Sequence, residues 1–100
     1  MKYFPYLLLS LAALAVVHSA QATGLMTCES GDPSTWQSAE QLTSKITGEG
    51  WEVRRVKVDG GCYEVYGTTP RGERGEAYFH PVSLELLLIA RRGEILYRKE

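Results

Sequence analysis

Histidine and cysteine are scarce in this chain: His18 and His80, Cys28 and Cys62. His18 falls in the apolar leader at the start of the chain, which leaves His80 alone, and one ligand does not make a metal or haem site. No Gly-x-Ser-x-Gly elbow surrounds any serine, so Ser83 lacks the setting of a hydrolase nucleophile. Neither sign of charge dominates, with eleven Lys and Arg against twelve Asp and Glu. That argues against a nucleic-acid binder, which would carry a dominant basic face. It equally provides no polybasic tail for anionic lipid. No apolar run reaches the roughly 20 residues needed to span a bilayer. Internal repeats, low-complexity tracts and domain linkers are also missing.

The most informative stretch is the start. Lys2 supplies a positive residue, Tyr6 to Val17 is nearly unbroken apolar sequence, and Ala20-Gln21-Ala22 has the small-x-small form that an export peptidase cuts. Residues 1–22 are therefore expected to be a removable signal peptide. Residues 23–100 would then form a single domain in the periplasm or outside the cell. Losing Lys2 leaves ten of the eleven basic residues against all twelve acidic ones, both signs still mixed. A domain of this size buries only about 60–65% of its extended surface, so its stability is marginal.

An even cysteine count in an oxidising compartment favours one disulfide, Cys28–Cys62. Two other readings compete. Leu25-Met26-Thr27-Cys28 faintly resembles a lipoprotein box, though Thr27 stands where a small Gly, Ala or Ser is wanted. A reactive redox pair is the third, without the Cys-x-x-Cys spacing that depresses a thiol pKa.

Residues 23–34 are polar and rich in turn formers, which predicts an irregular lead-in tethered by Cys28. Ser38-Ala39-Glu40-Gln41 matches a capping box, and Ala39, Leu42 and Ile46 form one apolar stripe, so a helix is expected over about Ser38–Thr47, ended by Gly48 and Gly50. Strands follow. Trp51 to Val58 changes parity at Arg54-Arg55, which suggests a bulge, and Asp59-Gly60-Gly61 is a turn. Cys62 to Tyr66 and Glu76 to His80 are the next strands, the second stopped by Pro81. Leu84 to Ala90 is a continuous apolar run that reads as a strand, with a short helix as the alternative. Arg91-Arg92-Gly93 and Glu94 to Arg98 complete a hairpin. The order predicts an α+β fold, one helix on an antiparallel sheet of three to five strands.

The residues Gly50-Trp51-Glu52-Val53, Val56-Lys57-Val58-Asp59-Gly60-Gly61, Cys62-Tyr63-Glu64-Val65-Tyr66 and Glu76-Ala77-Tyr78-Phe79-His80-Pro81-Val82-Ser83 resemble the PepSY domain. That family is named for peptidase propeptides and a spore-germination protein. Its pattern is a helix, a Gly-aromatic-x-Val strand, a Tyr-Glu-Val strand, and an aromatic strand closing on Asp-Pro-x-Thr-Gly. The resemblance spans about Ser34–Leu86. Here His80 replaces the usual Asp, Ser83 the Thr and Leu84 the Gly, so the closing turn is expected to differ. The resemblance implies an exported binding or regulatory module, acting on a protease or an envelope sensor, with no catalytic residues and no cofactor. The alternative it implies is an accessory to a membrane cytochrome or electron-transfer system.

Candidate site residues come from strand parity. Glu64 and Glu76 share the face away from the helix, where Arg54, Arg55 or Arg74 would pair with them in solvent rather than leave a catalytic acid/base pair. Tyr66 and Tyr78 share that parity. Exposed tyrosines bordered by arginines suit a protein-binding face, here Glu64, Tyr66, Glu76, Tyr78 and His80. His80 itself reads as a strand-end residue bonded to the following turn. Arg91-Arg92 reads as a solvated turn, with a contact to anionic lipid or an acidic partner as the alternative.

Overall fold

The computed structural model describes residues 24–100; the expected signal peptide lies outside them. The described chain runs from an irregular lead-in, through a 3-10 turn (Pro33–Thr35), to one helix, α1 (Ala39–Gly48). Ser38 caps α1 as its sequence predicts. The Ser38 hydroxyl accepts from the Gln41 N–H at 3.0 Å, and Gln41 Oε1 accepts from the Ser38 N–H at 2.7 Å. Two of the four N–H groups that a helix start leaves open are thereby satisfied. Glu40 in the first turn and Lys45 in the last complement the helix dipole. Beyond Gly48 the chain tightens through Glu49 N–H to Ile46 O and Gly50 N–H to Thr47 O, with Gly50 at φ 106°.

Five strands follow: β1 (Glu52–Asp59), β2 (Cys62–Thr68), β3 (Arg74–Phe79), β4 (Leu86–Arg91) and β5 (Glu94–Arg98). They pair antiparallel in chain order, β1-β2-β3-β4-β5, which makes β1 and β5 the edges. The parity change in β1 is a register shift between Val53 and Arg55, where the sequence places a bulge. Leu84 to Ala90 resolves in favour of a strand. Its lack of alternation has a physical cause: Leu86 and Ile89 pack with the helix-side core, while Leu88 and Ala90 are buried on the other side.

The sheet thus carries apolar packing on both faces. On one, Leu42 and Ile46 of α1 meet Trp51, Tyr63, Val65, Ala77, Phe79 and Leu84. Trp36 and Trp51 make edge-on ring contacts with Tyr63 and Phe79 at centroid distances of 5.7 and 5.5 Å. On the other, the lead-in lays Leu25, Met26 and Cys28 over Cys62, Tyr78, Leu88 and Ala90. The Cys28–Cys62 disulfide fixes it there, with Cα atoms 5.2 Å apart. The Cys28 N–H adds a 2.8 Å bond to Gly60 O, and the Ser30 hydroxyl another to Gly61 O. Gly60 and Gly61 have φ of 62° and 81°, the two-residue hairpin geometry that favours glycine. They are also where the lead-in crosses: a Cβ on either would fall 2.5–2.6 Å from the backbone oxygen of Met26 or Cys28.

Candidate functional site

Strand register places Glu64, Tyr66, Glu76 and Tyr78 together on the face away from α1, with Glu64 opposite Tyr78 and Tyr66 opposite Glu76. Parity was therefore a sound guide to the face. It was not a guide to exposure. Tyr78 has no solvent contact, because the lead-in covers it, and its hydroxyl donates to Asp59 Oδ2 at 2.9 Å. Glu64 is equally closed off from solvent, which corrects the expectation of a solvated carboxylate. Its nearest cation is not an arginine but Lys57 Nζ, 3.9 Å away across the β1–β2 pairing. Neither carboxylate oxygen has a partner of hydrogen-bond geometry among the described residues.

Such burial carries an electrostatic consequence. A charge removed from water costs more than it does in solution. Desolvation, with the Glu76 carboxylate nearby, raises the Glu64 pKa above its ordinary value, against the opposing influence of the Tyr66 and Tyr78 hydroxyls. The same crowding raises Tyr66, first through desolvation and then through Glu64. The Tyr66 ring also lies under two cations, Arg55 Cζ at 4.9 Å and Lys57 Nζ at 5.6 Å from its centroid.

Tyr66 and Glu76 are half-buried and stay in reach of solvent. His80 stands apart from this pair, just past β3. Its Nδ1 accepts from the Val82 N–H at 3.1 Å, as a short acidic side chain would in the same turn. The proton is then assigned to Nε2, which lies 3.2 Å from the Glu29 carbonyl oxygen and donates to it. His80 therefore bonds to its own turn and adds a tie to the lead-in. Leu84 takes a left-handed backbone, at φ 64°, with its side chain in the core.

Parity missed what surrounds Tyr66 and Glu76. A groove of about 580 Å³ opens here, lined by Arg54, Arg55, Arg74, Arg91, Arg92 and the backbone of Gly67 and Gly75 as well as by that pair. The signal was present as two Arg-Arg dipeptides, but nothing in strand periodicity says that they converge.

Neither the curated proteins nor the solved structures give a match to this chain. The model of the peptidase propeptide and YPEB domain family does match, over residues 7–88, taking in the helix, the first three strands, the His80–Leu84 turn and the start of β4, and the chain belongs to that family.

Proposed function

We propose that this protein is an exported, non-catalytic regulatory module that docks a partner protein through the face of its sheet away from α1. The observation that carries the reading is membership of a family whose domains are generally propeptide or regulatory modules, typically periplasmic or extracellular. Three features support it. The described residues include no helix long and apolar enough to cross a membrane. The tethering disulfide suits an oxidising compartment. Tyr66 and Glu76 sit on that sheet face, in a groove suited to a side chain or strand from another molecule. The partner class is a protease or an envelope sensor.

The cytochrome-accessory alternative rests on His80 as a haem or metal contact, and both ring nitrogens of His80 are already engaged. The docking reading is tested by a photo-crosslinking residue placed at Glu76 and, as a control, at Glu40 on the exposed side of α1, in cells that make the protein naturally. A discrete protein adduct from position 76, with none from 40, is expected. Adducts from neither position, or from 40 alone, would reject the docking face.

A further inference from the structure

Five of the chain's seven arginines line one groove, although the chain as a whole is net negative. The only acidic residue lining it is Glu76. All five are exposed, and none forms an ion pair among the described residues, where the three ion pairs all use lysine. The backbone departs from regularity where it delivers them. In an even strand, Arg54 and Arg55 would point to opposite faces. The β1 bulge between Val53 and Arg55 breaks that alternation, and both line the groove. Arg91 closes β4, and Arg92 takes a left-handed turn position at φ 54°, so this adjacent pair also reaches the groove. Arg74 joins them from the first residue of β3. Gly67 and Gly75 face each other in the β2–β3 register and contribute bare backbone. A Cβ on Gly67 would overlap Glu52 O, and one on Gly75 would overlap Ala90 O.

We infer that this groove binds an extended acidic peptide segment of the partner, its carboxylates held by the Arg54-Arg55 and Arg91-Arg92 pairs; this rests on the docking reading and names the partner's chemistry. From β1 to β4 is three strand spacings, about 14 Å, which an extended chain covers in roughly four or five residues. A single small anion does not bridge that distance. The arginine fork matches carboxylates in a bidentate manner, which gives direction as well as charge. A membrane surface fits less well. None of the exposed large apolar side chains (Val58, Val82, Ile95, Tyr97) lines the groove, so nothing there is set to enter acyl chains.

The test uses fluorescence anisotropy on the disulfide-bonded protein with a labelled peptide of about six alternating Asp and Glu residues. Saturable binding is expected, weakening as ionic strength rises from about 0.05 to 0.5 M. Arg54→Gln/Arg55→Gln and Arg91→Gln/Arg92→Gln should each weaken it about tenfold or more, a loss of at least ~1.4 kcal/mol. Arg71→Gln/Arg98→Gln, which alters the two arginines outside the groove, should leave it within about twofold, a difference below ~0.5 kcal/mol. No saturable binding, or an equal loss from all three double variants, would overturn the inference. So would binding to phosphatidylglycerol vesicles in place of the peptide, or full displacement of the peptide by millimolar inorganic phosphate at constant ionic strength. If the peptide fails while crosslinks from position 76 persist, only the acidic-segment inference falls. If the crosslinks fail as well, the docking reading falls with it.

Discussion

A carboxylate without solvent contact is expensive to keep charged, and Glu64 is in that position. Its pKa is raised in the folded state, so between the unfolded and folded values the native protein holds the proton more tightly than the unfolded chain does. Stability contributed by this site is therefore greatest in acid and falls as pH rises through that window. Glu64→Gln removes the charge and keeps the shape. It should raise the melting temperature at pH 7 by on the order of 4 °C, since each kcal/mol moves a domain of this size by roughly 4–8 °C. The gain should shrink as pH drops and vanish well below about 4.3, the unfolded value, where the wild-type carboxyl is neutral in both states. A variant less stable than wild type at pH 7 would show instead that Lys57, 3.9 Å away, compensates the buried charge. Alternation in β2 assigned Glu64 correctly to the face away from α1. Its burial was not legible, because what encloses that face is side-chain bulk and an aperiodic lead-in.

At the level of elements, local chemistry was a good guide wherever one rule acted alone. The capping box at Ser38, the stripe Leu42–Ile46, the Gly60-Gly61 turn and the bulge before Arg55 each follow from a short-range constraint that the residues state directly. β4 was ambiguous because it is covered on both sides, which erases the period-2 signal. The turn between β3 and β4 holds His80, Ser83 and Leu84, where the sequence differs from the pattern it resembles. His80-Pro81-Val82-Ser83-Leu84 is closed by the Leu84 N–H to His80 O at 2.7 Å, and by the Glu85 N–H to the Ser83 hydroxyl at 3.2 Å. Leu84 adopts a left-handed conformation that costs a non-glycine residue roughly 1–2 kcal/mol, offset by burial of its side chain among the helix-side core. This separates two truncations. Leu84→Ala should cost about 2–4 kcal/mol by urea denaturation, because it loses the packing and retains the strained backbone. Leu84→Gly loses a similar contact and relieves the strain, so it should be no less stable than the alanine variant, contrary to the usual order. If glycine were the worse by about 1 kcal/mol, the left-handed turn would carry no strain.

For the molecule as a whole, the sheet is a shared wall between two modest cores, and the second exists only because residues 25–28 are held against it. Alternation and turn chemistry made the α+β architecture readable; a cover with no helix or strand of its own leaves no periodic trace, and only Cys28 pointed to it. The bond closes a separation of 34 residues, which corresponds to about 4 kcal/mol of chain entropy. Small domains have total stabilities near the low end of roughly 5–15 kcal/mol, so this is most of the margin. In Cys28→Ser/Cys62→Ser, two outcomes differ in kind. If the lead-in depends on the bond, it detaches, and the folding free energy should fall by no more than about 4 kcal/mol, because the native chain regains freedom as well. Tyr78, Leu88 and Ala90 should lose their cover, with dye binding to the freed apolar surface and faster amide exchange in β3 and β4 than in α1. If packing of Leu25 and Met26, the Cys28 N–H bond to Gly60 and the His80 bond to Glu29 suffice, the full loss of about 4 kcal/mol is still expected, because the unfolded chain regains its freedom, but no apolar surface is freed and exchange in β3 and β4 should quicken no more than in α1. The first outcome is expected: Leu25 and Met26 are only half-buried, and two or three hydrogen bonds at about 1 kcal/mol each do not offset the entropy of ordering some ten residues.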